Sequence, residues 1–150
     1  KTDMSLDHFK KIVKYTEGKT QLNMCGTWGD PVFNLDFIHM LEHAYEKGAP
    51  VRISHAASHQ PESFYDKAYA ANPDATWIFG IDGLPEESHK YRVNQDGVKL
   101  FNMMLKGNRL GVKVQWQYIV FNYNNTHMKL AKKLCKKHKL EIVFIHTKRK

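Results

Sequence analysis

The chain has 150 residues, 42% hydrophobic and 25% charged, with a formal net charge of +8. That is the size and balance of one globular domain with one core, and it excludes a disordered chain or a fibre. No apolar run approaches the roughly 18 to 20 residues that cross a bilayer, so no membrane partner is expected.

Taken in chain order, the hydrophobic period switches repeatedly between helix and strand. Lys1-Thr2-Asp3-Met4-Ser5 leads straight into a helical stripe of Leu6, Phe9, Ile12 and Val13, with Ser5 as N-cap and Gly18 as terminator. No signal peptide is therefore expected, and the start at Lys1 suits a segment of a longer protein. Thr20 to Cys25 reads as a strand, and Asn34 caps a helix carrying Phe37, Ile38, Leu41 and Tyr45 that stops at Gly48. Pro50 to Ser54 is a short strand, and Pro61 opens a helix through Phe64, Ala68 and Tyr69. Asn72-Pro73-Asp74 breaks that helix. Ala75 to Ile81 is a nearly continuous apolar run, the pattern of a strand buried on both faces. A short helix at Glu86 to Tyr91 comes next, then a longer one capped by Asn94 and ending near Gly107. Val112 to Phe121 is the longest strand, and Leu140 to Ile145 the last.

Between those two strands lies a basic helix with Leu130, Leu134 and Cys135 as its inner stripe and lysines on its wet face. A basic face attracts phosphate, but this one lacks arginine and interleaved aromatics, which favours a solvated face over nucleic-acid binding. Cys25 and Cys135 have no CxxC spacing, so two reduced thiols in a cytoplasmic protein are expected rather than a disulfide or a zinc knuckle.

Strands separated by helices, at intervals of roughly 25 to 40 residues, are the mark of βαβ units with a parallel sheet. Parallel order brings every strand exit to one edge, where α/β folds bind ligands. The first exit, Gly26-Thr27-Trp28-Gly29-Asp30-Pro31, is either a ligand loop or a tight turn. The others supply Ser54, His55, Ser58 and His59, then Asp82, then Asn122 and Asn124, and finally His146. His55, Asp82 and His146 would converge as metal ligands or acid–base groups if the strands curve into a barrel. No GxSxG elbow marks a serine nucleophile.

The same segments carry a family resemblance over nearly the whole chain. Gly26 to Pro31, with Asn34-Leu35-Asp36-Phe37 behind it, resembles the glycine-rich "GGEP" segment of radical S-adenosylmethionine (radical SAM) enzymes. Ile53-Ser54 and its polar loop resemble their third-strand "STN" segment. Phe79-Gly80-Ile81-Asp82-Gly83, followed by His89-Lys90-Tyr91-Arg92, is similar to their "SIDG…H…R" segment. Gln117 to Asn124 looks like their fifth strand and exit, and Val143-Phe144-Ile145-His146 like their sixth strand.

The resemblance implies an α/β fold of repeating β-α units, a partial TIM-like (β/α)6 barrel, with S-adenosylmethionine at the C-terminal edge of the sheet. It implies Asp30 at the cofactor's ammonium, with Gly26, Thr27 and Gly29 letting the backbone approach. Ser54 and Asp82 would meet ribose or carboxylate, Tyr118, Val120 and Asn122 would flank the adenosine, and Val143 to Ile145 would wall the adenine. Two departures stand out. His55-Ala56 replaces the usual Thr-Asn, and the CxxxCxxC cluster motif is absent, so two cysteines cannot ligate a [4Fe–4S] cluster. The expectation is a domain inactive alone, its cluster ligands coming from a missing segment or a partner. The alternatives are a metal-dependent enzyme using His55, Asp82 and His146, or a non-catalytic module for phosphate ligands or a partner chain. Without a first strand, the open sheet edge predicts a homo-oligomer or a covering partner.

Overall fold

β-branched and aromatic side chains concentrate in four short runs, each of which forms a strand in the computed structural model, and a fifth, shorter strand, Leu22-Asn23-Met24, has none; the structure describes residues 3–16, 19–26 and 29–147. The strands are β1 (Leu22–Met24), β2 (Val51–His55), β3 (Thr76–Gly80), β4 (Lys113–Val120) and β5 (Glu141–His146). All neighbours pair in parallel, in the order β1-β2-β3-β4-β5. Helices α1 (Leu6–Thr16), α2 (Phe37–Glu46), α3 (Glu62–Ala71), α4 (Gly97–Arg109) and α5 (Met128–His138) alternate with them. This is the α/β architecture of a partial TIM-like barrel.

Each crossover returns to the next strand in the same direction, which puts the helices on one face of the sheet. That face holds Ile53, Trp77, Phe79, Trp116 and Tyr118, all at most 0% exposed, packed with Phe37, Leu41, Leu100 and Met104 from the helices. The opposite face belongs to the alternate positions: Ser54, Ile78, Gln115, Gln117, Ile119, Val143 and Ile145. Ile78 is buried there, outside the core cluster. In a barrel this second face is the inside.

Helix boundaries follow local chemistry. Ser5 Oγ accepts the His8 N–H at 3.3 Å and starts α1. The cap predicted at Asn34 moves two residues on to Asp36, because a 3-10 turn at Pro31–Phe33 intervenes and Asn34 Oδ1 turns the chain by accepting the Asp36 N–H. The cap predicted at Asn94 likewise moves to Asp96, whose side chain accepts the Lys99 N–H at 2.9 Å, while Asn94 itself takes a left-handed φ of 67°. Leu130 is 50% exposed, not inward: Ala131 and Cys135 are the buried residues of α5. Gly18, the expected terminator of α1, and Thr27 lie outside the described residues.

Candidate functional site

The first two strand exits are tied together by one carboxylate. Asp30 Oδ2 accepts the N–H groups of Ala56 at 2.7 Å and Ala57 at 3.0 Å, and Oδ1 accepts that of Val32 at 3.3 Å. Gln60 Nε2 adds a second tie, donating to the Val32 carbonyl at 2.7 Å. Asp30 is therefore a clamp between loops. In the first exit a Cβ on Gly26 would collide with the Gly29 carbonyl, so Gly29 approaches Gly26 this closely only because no side chain stands there.

The third exit is held from inside. Asp82 is fully buried; its Oδ1 accepts the Ile119 N–H at 2.7 Å and its Oδ2 the Arg92 Nε–H at 2.8 Å. Burial raises the pKa of Asp82, and the Arg92 charge and the Ile119 amide counter it. Tyr123 closes the knot by donating its hydroxyl to the Asp82 carbonyl at 2.5 Å. Beside it, Glu87 Oε1 accepts the Leu84 N–H at 2.9 Å and meets His127 Nδ1 at 2.7 Å. Burial alone pushes Glu87 upward, but the Leu84 amide and His127 together hold its pKa below the ordinary value.

Arg92 reaches back over the sheet. Its Nη2 lies 3.0 Å from where a Cβ on Gly80 would stand, so the glycine makes room for the guanidinium. Gln95 pins the same segment down, its Nε2 donating to Ala56 O at 2.6 Å and Gly80 O at 2.9 Å. Ser58 Oγ accepts the Asp96 N–H at 2.8 Å. Between these groups opens a cavity of about 260 Å³, rimmed by Asp30, Phe33, Ser58, His59, Arg92 and Asn94. A second cavity, about 270 Å³, lies between α1, β1 and α2; it is lined by apolar side chains such as Met4, Phe9 and Met24 and contains no charged group.

Not every expected site residue meets this edge in the same way. Gly26, Gly29 and Asp30 lie on the first exit, and Ser54 sits on the open face opposite Ile78. Asn122 is exposed in the fourth exit; the buried Asn124 does the turning, accepting the Phe121 N–H at 2.8 Å and donating to Ile119 O at 3.0 Å. Tyr118 points to the helix face, where it is fully buried, packs on Phe144 and donates its hydroxyl to Asn124 O at 2.8 Å. Its neighbours Gln117 and Ile119 take the open-face positions, because side chains alternate along a strand. Val143 and Ile145 share that face with them, and Val120 does not.

The metal alternative does not assemble. His55 lies on the helix face of β2, while His146, exposed at the end of β5, is three strands away, roughly 14 Å sideways, and four residues further along the sheet than the row of His55. Asp82 is committed to Arg92 and Ile119. Among the described residues no group of three His, Cys, Asp or Glu side chains could hold a metal ion. Cys25 is exposed near the first exit, and Cys135 is buried in α5, its thiol pushed up to about 11 by burial, so the two thiols do not form a cluster site.

Arg92 and Gln95 are the functional candidates that residue-by-residue reading passed over. The only signal for Arg92 was its place in the segment resembling "SIDG…H…R"; nothing in composition or period marks Gln95.

No family model and no curated protein matches the chain. Solved structures do. Streptococcus suis SuiB bound to S-adenosylmethionine superposes with a TM-score of 0.82 at 12% identity, over 97% of this chain and 34% of that one. SuiB bound to its precursor peptide SuiA gives the same score over 33% of its length. Methylornithine synthase (PylB) gives 0.72 at 17% identity, over 97% of this chain and 44% of that one. The chain thus spans a third to less than half of these structures, and at such identities the likeness speaks for the fold. The shared fold is the partial TIM-like α/β barrel that the motif resemblance implies.

Proposed function

We propose that this chain is a single radical SAM-like α/β domain that binds S-adenosylmethionine at the C-terminal edge of its sheet. One observation carries the reading: Asp30 and Gln95 draw three strand exits into one rim around a cavity that also holds the Arg92 guanidinium. The cofactor is a zwitterion with a carboxylate, an ammonium, a ribose and an adenine. Arg92 uses only Nε for Asp82, leaving both terminal nitrogens to fork onto a carboxylate. Gly26 and Gly29, next to Asp30 on the same exit, leave backbone groups uncovered by side chains for the ammonium end. Ser54, whose hydroxyl has no hydrogen bond among the described residues, and Gln117 offer polar contacts on the open face, and Ile119, Val143 and Ile145 offer an apolar wall.

When bound, S-adenosylmethionine supplies a sulfonium whose reductive cleavage requires an electron from a [4Fe–4S] cluster. The thiols of this chain do not fit that cluster, so the domain is read as binding-competent and catalytically silent alone. Isothermal titration with S-adenosylmethionine, and with its demethylated, sulfonium-free analogue S-adenosylhomocysteine, tests the binding. Saturable binding that weakens at least about tenfold in Arg92→Lys supports it; no heat at millimolar ligand sinks it. Anaerobic iron and sulfide reconstitution tests the silence, and cluster absorbance on this chain alone would overturn it.

A further inference from the structure

We infer that the outer edge of β5 is a docking strand for an extended segment of another polypeptide in which acidic and apolar residues alternate. The sheet has two edges and they are built differently. β1 is three residues long, too short to template much pairing. β5 is six residues long and, among the described residues, pairs only with β4; its middle is Ile142-Val143-Phe144-Ile145, without a charge or a proline. Proteins usually blunt such edges with exactly those devices, because the unpaired N–H and C=O row recruits strands. Val143 and Ile145 are each 39% exposed on the open face.

The nature of the occupant follows from charge. Lys129, Lys132 and Lys136 are exposed and share one row of α5, three and four residues apart. That row overhangs β5: the Lys132 ammonium lies 5.5 Å from the centroid of the Phe144 ring. The side facing α4 is different, since His138 meets Phe101 and its carbonyl accepts from Asn108. No ion pair neutralises the row among the described residues. A strand laid along β5 presents every second side chain to this lysine row and the others beside Val143 and Ile145. Acidic residues suit the first set and apolar ones the second. A second copy of the chain is disfavoured, because pairing two β5 strands brings two lysine rows side by side within a Debye length of about 10 Å.

The test uses fluorescein-labelled peptides titrated with the chain: alternating valine and glutamate, alternating valine and lysine, and a block-ordered peptide with the composition of the first. Saturable anisotropy is expected for the alternating acidic peptide only, with added protection of β5 amides in hydrogen exchange. Ile145→Lys and Lys132→Glu/Lys136→Glu are each expected to weaken it by about tenfold or more, the latter transferring preference to the lysine peptide. Lys132→Gln/Lys136→Gln gives an intermediate loss and guards against misfolding of the charge reversal. Equal binding of the block-ordered peptide, or β5 protection that rises with chain concentration in the absence of peptide, overturns the inference.

Discussion

The Asp30 carboxylate accepts the backbone N–H of Ala56 at 2.7 Å, 26 residues away in sequence, and so joins the exits of β1 and β2. Charge-assisted bonds of this kind are among the stronger ones a protein makes. Asp30→Ala leaves the amides of Ala56 and Ala57 without their acceptor, and a loss of about 1–3 kcal/mol in urea denaturation is expected. Asp30→Asn keeps an acceptor oxygen and should recover part of it. A stability indistinguishable from the parent in both variants would show that the loops do not depend on the clamp.

Gly26 predicts a different separation of effects. A Cβ at that position meets the backbone of Gly29, which cannot swing aside as a side chain can. Gly26→Ala must therefore push Gly29 away, at a distance from the core on the helix face. S-adenosylmethionine affinity is expected to fall about tenfold or more by titration calorimetry, with a urea midpoint close to the parent. Parental affinity would remove the turn from the site.

The succession of strands and helices, and the single edge they share, were legible from hydrophobic period alone, since Ala75 to Ile81 and Val112 to Phe121 differ so plainly from the helical stripes around them. Facing was not. Tyr118 and Gln117 are adjacent, and a shift of one residue exchanges every side chain between faces, so only register tells which of them lines the barrel. The two displaced helix caps have a similar origin: Asn34 and Asp36, or Asn94 and Asp96, are both good capping residues two apart, and a local turn decides between them. Arg92 escaped because its role depends on contact with Asp82 and Gly80, ten and twelve residues back and on another element.

His55 makes stability depend on pH. Its ring is buried among Tyr65, Trp77 and Phe79, at centroid distances of 5.9, 5.3 and 4.6 Å, and neither nitrogen has a hydrogen-bond partner among the described residues. Burial lowers its pKa from 6.5 to about 4, although Asp30 pulls the other way. The unfolded chain therefore takes up this proton first as pH falls. The stability that the neutral ring leaves intact is fully present above pH 6.5 and is lost progressively down to about pH 4, by about 3 kcal/mol at most. His55→Phe keeps the packing and removes the titration. Its urea midpoint is expected to match or exceed the parent at neutral pH and to pull ahead on acidification. Parallel pH profiles for the two proteins would assign the acid sensitivity elsewhere.

The Asp82–Arg92 pair gives the opposite pH signature. Asp82 is fully buried and Arg92 is the cation that compensates it, at 2.8 Å. Arg92→Ala strands the carboxylate, and a loss of about 3 kcal/mol is expected near neutral pH. Burial already raises the pKa of Asp82, and removing the guanidinium raises it further, so in the variant the folded state binds this proton more tightly than the unfolded one. The variant's deficit is therefore smallest in acid, where Asp82 is protonated, and grows as pH rises. Urea titrations of parent and Arg92→Ala from about pH 8 to about pH 5 read this directly. Asp82→Asn combined with Arg92→Leu, which removes both charges, should recover part of the stability at the upper end and flatten the profile. A deficit that stays constant with pH would mean that the arginine stabilises the exit through packing over Gly80 rather than through its charge.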